Sequence, residues 1–194
     1  MTDPDPRILL ILDLDETLIH ASEEALDREP DFCVGHYRIY RRPGLETFLR
    51  TCQQQFQLAI WSASGGGYLS AVVPQILPVD VSLTFAWSRD RCVHRFDPEW
   101  LEPYFVKDLK KVKRQGFRLE RTLIVEDTPR QVERNFGNSI YVTSYLGSAE
   151  DTELGELSQY LKGFSTVTDV RKIEKRGWRN VPDFRRACPG RDHN

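Results

Sequence analysis

The sequence predicts an α/β fold with a mainly parallel sheet and helices on both faces. Two observations carry that prediction. Short apolar runs bounded by polar residues recur within 8–12, 57–61 and 121–125, as expected of strands buried on both faces. Segments with helical spacing alternate with them, the habit of parallel sheets. Ligands of such sheets sit beyond the carboxyl ends of the strands, which selects the residues that matter.

In chain order, Met1 to Pro6 is polar with two prolines and reads as a loose lead-in. Residues 8–12 form the first buried strand, and Gly35 to Arg42 alternates like a half-exposed strand or hairpin. After Pro43-Gly44, Leu45 to Phe56 is a helix with Leu45, Phe48, Leu49 and Cys52 on one face. Strand 57–61, a helix over Gly65 to Leu77 and a β-rich stretch from Val81 to Trp87 follow. Ser88 to Tyr104 reads as irregular. Val106, Leu109 and Val112 mark a lysine-rich helix stopped by Gly116, with Lys107 near its start. Strand 121–125 leads to a helix opened by Pro129, then a strand over Ser139 to Val142. Ser148-x-x-Asp151 resembles a capping box for a helix carrying Leu154, Leu157 and Leu161. There is no internal repeat.

Composition excludes several classes. A chain of 194 residues fits one domain and can bury a core without disulfides or structural metal. The 40% hydrophobic and 29% charged content is that of a globular protein, and a net charge of −2 excludes a globally basic one. The longest apolar run, Ile8–Leu12, neither spans a membrane nor makes a signal peptide. Cys33, Cys52, Cys92 and Cys188 form no C-x-x-C pair and read as reduced thiols of a cytoplasmic chain, the nucleus remaining open for a eukaryotic source. His20, His36, His94 and His193 have no metal spacing. Oligomeric state is unassigned.

The strand ends concentrate chemistry. Asp13 and Asp15 follow the first strand, and two carboxylates at i and i+2 repel unless a hard cation such as Mg²⁺ offsets them; turn chemistry is the alternative. Ser62 and Ser64 precede Gly65-Gly66-Gly67, a hydroxyl and free amides suited to phosphate or simply to a loop. Lys107 wants a partner anion near a helix start, although its neighbours Lys110, Lys111 and Lys113 also fit a solvated face. Glu126 and Asp127 end another strand, where Asp127 is equally a helix cap. Together these ends offer a nucleophile, a general acid, metal ligands and charges that neutralise phosphate.

At this point the chain resembles the haloacid-dehalogenase superfamily of phosphatases, through Asp13-Leu-Asp15-Glu16-Thr17-Leu18. More narrowly it is similar to the NLI-interacting-factor-like branch, which includes the small phosphatases of the RNA polymerase II C-terminal domain. The supporting matches are Arg42-Pro43-Gly44, Trp61-Ser62-Ala63-Ser64, Arg89-Asp90-Arg91-Cys92, Tyr104 to Leu109, Leu123 to Pro129, and Asp151 to Leu154. The resemblance places the phosphatase domain at 7–175, after a lead-in over 1–6 and before a basic tail over 176–194. It implies a Rossmann-like sheet without a large cap domain. It also implies that Asp13 is the nucleophile and Asp15 the general acid and base, whose carbonyl helps hold Mg²⁺. Thr17, Ser62, Ala63, Arg89 and Lys107 would bind substrate or phosphate, and Asp127, then Glu126, would complete the metal site. Such chemistry matches what phosphoryl transfer requires: in-line positioning, neutralised oxygens and a carboxylate that splits hydrolysis into two steps. Two departures stand out: the family usually has Thr at Ser62 and Asp at Glu126, where the extra methylene can shift the metal or interpose water.

Between Thr17 and Ser62 only Ile19 to Gly35 is spare, a hairpin at most, so the site is expected to be open to a large phosphoserine or phosphothreonine protein segment. Trp87, Phe96, Trp100 and Arg89 are candidates for a groove wall within or beside 88–104. The alternative substrate is a nucleic-acid phosphate end, because Arg171 to Asn194 holds eight Lys/Arg against three Asp/Glu, with Trp178 and Phe184 between them. A non-catalytic phosphoprotein-binding module on the same fold is the reading from another class.

Overall fold

The computed structural model describes residues 5–99 and 101–180. Its centre is a parallel five-stranded sheet in the order β10-β9-β1-β5-β6: β1 Ile8–Leu12, β5 Phe56–Trp61, β6 Leu83–Trp87, β9 Thr122–Glu126 and β10 Ser139–Tyr141. β1 lies in the middle, with Leu12 level with Ile60 of β5 and Val125 of β9. Because successive side chains alternate between faces, Ile8, Leu10 and Leu12 enter one core cluster while Leu9 and Ile11 enter another.

The first cluster is the larger. It takes α1 (Leu45–Gln55), α2 (Gly66–Ile76) and α4 (Glu153–Leu161). Leu45, Phe48, Leu49 and Cys52 of α1 are buried there, the stripe predicted by their spacing. On the opposite face the α-helical cover is α3, only Lys110–Lys113, with Leu109 and Val112 pointing inward. A small sheet in the order β2-β4-β3 (Ile19–Ser22, Tyr37–Arg41, Phe32–Val34) fills the space between Thr17 and α1. No large cap is present among the described residues.

Several expectations are corrected. The stretch 88–104 contains a short 3-10 turn at Arg89–Arg91 and most of an antiparallel hairpin, β7 Val93–Asp97 with β8 Glu102–Val106. Lys107 therefore follows a strand outside the main sheet, and does not begin a helix. Pro129 opens a 3-10 turn over Pro129–Val132. Before α4, Asp151 accepts from the Glu153 amide while Ser148 accepts from Glu150, so the expected capping box does not form. Trp178 is 3% exposed, packs on Tyr160 and donates to the Tyr141 carbonyl. Core packing thus continues past 175, and Trp178 is no exposed stacking group. Trp100, Phe184, Cys188, His193, the lead-in up to Pro4 and the tail over 181–194 lie outside the described residues. Cys33, Cys52 and Cys92 are free thiols, and no described helix is long and apolar enough to cross a membrane.

Candidate active site

The carboxyl ends of β1, β5 and β9 converge on one edge, and the hairpin delivers the lysine to it. Asp13 leaves β1 with its amide bonded to the Val125 carbonyl. The chain then turns sharply: the amides of Thr17, Leu18 and Ile19 all reach back to the Leu14 carbonyl, and Glu16 adopts a left-handed φ of 56°. A non-glycine residue in that region costs about 1–3 kcal/mol, so the surroundings must hold the turn. They do so through Arg42, which is enclosed, donates to the Thr17 and Thr143 carbonyls, and clasps both oxygens of Asp151. Tyr145 adds its amide to the Glu16 carbonyl.

Lys107 is completely buried between two carboxylates. It bonds to Asp13 Oδ1, and its Nζ lies 2.6 Å from Glu126 Oε2. Burial alone would lower its pKa, but Asp13 and Glu126 outweigh that and raise it. Burial pushes Asp13 up to about 6 against the pull of Lys107, with Asp15 and Asp127 adding repulsion. Burial and the Asp13 charge likewise lift Glu126 well above the ordinary carboxylate range. The lysine is pinned from behind. Its amide donates to the Gln131 carbonyl, its carbonyl accepts from the Asn135 side chain, and Asn135 Oδ1 accepts from the Leu109 amide.

Asp13, Glu126 and Asp127 place one carboxylate oxygen each within 4.8 Å of one another. This is a hard-oxygen donor set with more negative charge than one lysine neutralises, and it fits Mg²⁺. The three differ in freedom. Glu126 Oε1 accepts from the Thr128 amide while Oε2 holds Lys107, so both oxygens already have protein donors. Asp127 is less buried and takes only hydroxyls, from Thr128 and Ser144.

Asp15 lines an open pocket of about 280 Å³ together with Glu16, Tyr37, Ser64, Tyr68 and Arg89. Ser62 is fully buried; its amide donates to the Trp87 carbonyl, and its hydroxyl accepts from Ser64 N and reaches Asp15 Oδ2 at 3.2 Å. Ala63 is half-buried between them. Arg89 is exposed, ties its amide to the Ser64 carbonyl and lies over the Phe105 ring. Thr17 is enclosed, with a hydroxyl that has no hydrogen-bond partner among the described residues. The structure therefore brings Asp13, Lys107, Glu126 and Asp127 into one cluster and Asp15, Ser62 and Arg89 into an adjoining one.

Sequence reasoning missed Asn135, Tyr68 and the contact of Ser64 with Asp15. Tyr68 follows Ser64 by four residues, helical spacing at the start of α2, which was a usable signal; Asn135 had none.

Residues 8–171 match the family described as NLI interacting factor-like phosphatase. The chain belongs to that family. Among curated relatives of this NLI interacting factor-like chain, CTD small phosphatase-like protein 2 of Dictyostelium discoideum is 30% identical over 86% of this chain and 29% of its own length. The human carboxy-terminal domain RNA polymerase II polypeptide A small phosphatase 1 is 28% identical over 86% of this chain and 63% of its own. The chain thus spans only part of each. Among solved structures, that of Fcp1, an essential RNA polymerase II CTD phosphatase, superposes with a TM-score of 0.55 at 22% identity, covering 80% of this chain and 47% of the solved chain. That likeness supports the same haloacid-dehalogenase-like architecture.

Proposed function

We propose that this chain is a Mg²⁺-dependent phosphomonoesterase acting through an aspartyl-phosphate on Asp13, with a phosphoserine or phosphothreonine protein as substrate. The observation that carries the reading is the buried Asp13–Lys107–Glu126 arrangement beside Asp127, at the strand end where this family's motif falls.

Asp13 attacks phosphorus, and Asp15 gives its proton to the leaving oxygen. Asp15 then takes a proton from the water that cleaves the acyl phosphate, returning Asp13 to a carboxylate. Lys107 neutralises the phosphoryl oxygens and the Ser62 hydroxyl donates a hydrogen bond to them, the Ala63 backbone and the Thr17 turn shape the cradle, and Arg89 faces the substrate from the rim. Asp13, Asp127 and the Asp15 carbonyl would hold Mg²⁺, with Glu126 second, and the ion would supply charge neutralisation on the phosphoryl group. Two carboxylates with separate roles divide one hard hydrolysis into two easier steps.

The protein substrate is favoured by the open Asp15 pocket with no large cap over it among the described residues. The nucleic-acid alternative loses one support, since Trp178 is in the core. We place the phosphatase domain at 7–180, moving its end from 175 to take in Trp178. The test compares a phosphoserine peptide with a 5′-phosphorylated oligonucleotide, in Mg²⁺ and in EDTA. Metal-dependent phosphate release from the peptide, at least tenfold faster than from the oligonucleotide, is expected. The reverse order would move the substrate to nucleic acid, and equal release from wild type and Asp13→Asn would remove the mechanism.

A further inference from the structure

The carboxylate of Asp15 is gripped by three hydroxyls. Tyr68 donates to Oδ1 at 2.8 Å, Ser64 to Oδ2 at 2.7 Å, and Ser62 to the same oxygen at 3.2 Å. Ser64 and Tyr68 flank the entry to α2, separated by Gly65-Gly66-Gly67. The ring of Tyr68 is set by Tyr37 of β4, edge-on with centroids 5.9 Å apart.

A serine hydroxyl has one proton to donate. When Ser62 turns that proton to a phosphoryl oxygen it gives up its longer contact with Asp15, and Ser64 and Tyr68 remain. We propose that Tyr68 and Ser64 are positioning residues that hold the Asp15 carboxyl in line with the leaving oxygen, with Tyr37 bracing Tyr68 from the substrate side. This rests on the phosphatase reading above.

In the first step the Asp13 oxygen–phosphorus bond forms while the bond from phosphorus to the leaving oxygen breaks. That oxygen keeps the electron pair and receives the Asp15 proton. Asp15 becomes a carboxylate, whose two oxygens accept from the Ser64 and Tyr68 hydroxyls. Since hydroxyls both donate and accept, the same grip serves the protonated acid beforehand. A misdirected acid therefore slows substrates in proportion to how much their leaving group needs a proton.

The experiment measures kcat/KM for 4-nitrophenyl phosphate, whose leaving phenol is acidic, and for phenyl phosphate, whose phenol is not. Wild type, Tyr68→Phe, Ser64→Ala and Asp13→Asn are compared in Mg²⁺, with thermal unfolding as the folding check. kcat/KM stops at the first irreversible step, so it isolates the proton delivered to the leaving group. Tyr68→Phe is expected to lose about tenfold more on phenyl phosphate than on 4-nitrophenyl phosphate, within what general acid catalysis supplies. Ser64→Ala is expected to show the same bias. Equal losses on both substrates in both folded variants would overturn the inference and leave the Asp13 mechanism standing. No Asp13-dependent turnover in wild type would overturn both.

Discussion

Lys107 Nζ and Glu126 Oε2 stand 2.6 Å apart with both side chains fully enclosed, and the same nitrogen also reaches Asp13. One cation between two buried carboxylates leaves negative charge that the interior disfavours. Burial and the Asp13 charge therefore raise the pKa of Glu126 well above the ordinary carboxylate range. Glu126→Gln removes the charge that burial and Asp13 disfavour, and should change metal-free stability by less than about 1 kcal/mol. Lys107→Met removes the shared cation and should cost about 3 kcal/mol. Urea unfolding in EDTA at pH 7 distinguishes them; a large loss in Glu126→Gln would show that the carboxyl is ionised there.

Stability should fall with rising pH when metal is absent. Asp13 is raised from 3.8 to about 6 and Glu16 from 4.5 to about 8, in each case with burial as the first cause. The folded state thus binds these protons more tightly than the unfolded chain. Their contribution is fully present below about pH 4 and is lost as pH passes through about 6 and then about 8. Melting temperature in EDTA should decline from pH 5 to pH 9, with Glu16→Gln flattening the upper part. Binding of Mg²⁺ should release protons at pH 6, seen as buffer-dependent heats. A melting temperature that rises across this range would contradict the assignment.

Arg42 and Asp151 form a latch through which the turn after β1, the loop after β10 and the start of α4 are tied together. Arg42→Met leaves Asp151 without its cation and two carbonyls without a donor. A loss of about 3–5 kcal/mol is expected by chemical unfolding. A loss below about 1 kcal/mol would mean that the turn holds without it.

Trp178 packs on Tyr160 and donates to Tyr141 on edge strand β10. Trp178→Ala should cost about 3–5 kcal/mol, and a chain ending at 175 should melt well below the full chain. Equal melting temperatures would return 176–180 to the tail.

Local pattern conveys some elements of this fold and hides others. Strand β1 is legible because five consecutive apolar residues admit one environment, and Leu45, Phe48, Leu49 and Cys52 repeat at helical spacing. The Val106, Leu109 and Val112 spacing also looks helical, yet Val106 ends a strand and Leu109 precedes α3. Residues three apart can share a burial environment without sharing a helix, and so the spacing puts Lys107 in a helix although it follows β8. The β7–β8 hairpin was hidden because its exposed face carries His94 and Phe96, and Pro103 interrupts the β pattern. Trp178 sits among basic residues, and only the fold supplies its cavity. The carboxylates and Ser62 were legible as strand ends; Asn135 acts through backbone contacts that any polar loop residue could imitate.

The most direct measurement is the chemical state of Asp13 during turnover. The protein would be mixed with a phosphoserine peptide and Mg²⁺, quenched in acid within milliseconds to seconds, digested and examined by mass spectrometry. A hydroxylamine-labile phosphoryl group on the peptide containing Asp13, absent from Asp13→Asn, is the predicted result. Steady phosphate release with no phosphorylated Asp13 at any quench time, and undiminished in Asp13→Asn, would contradict the account.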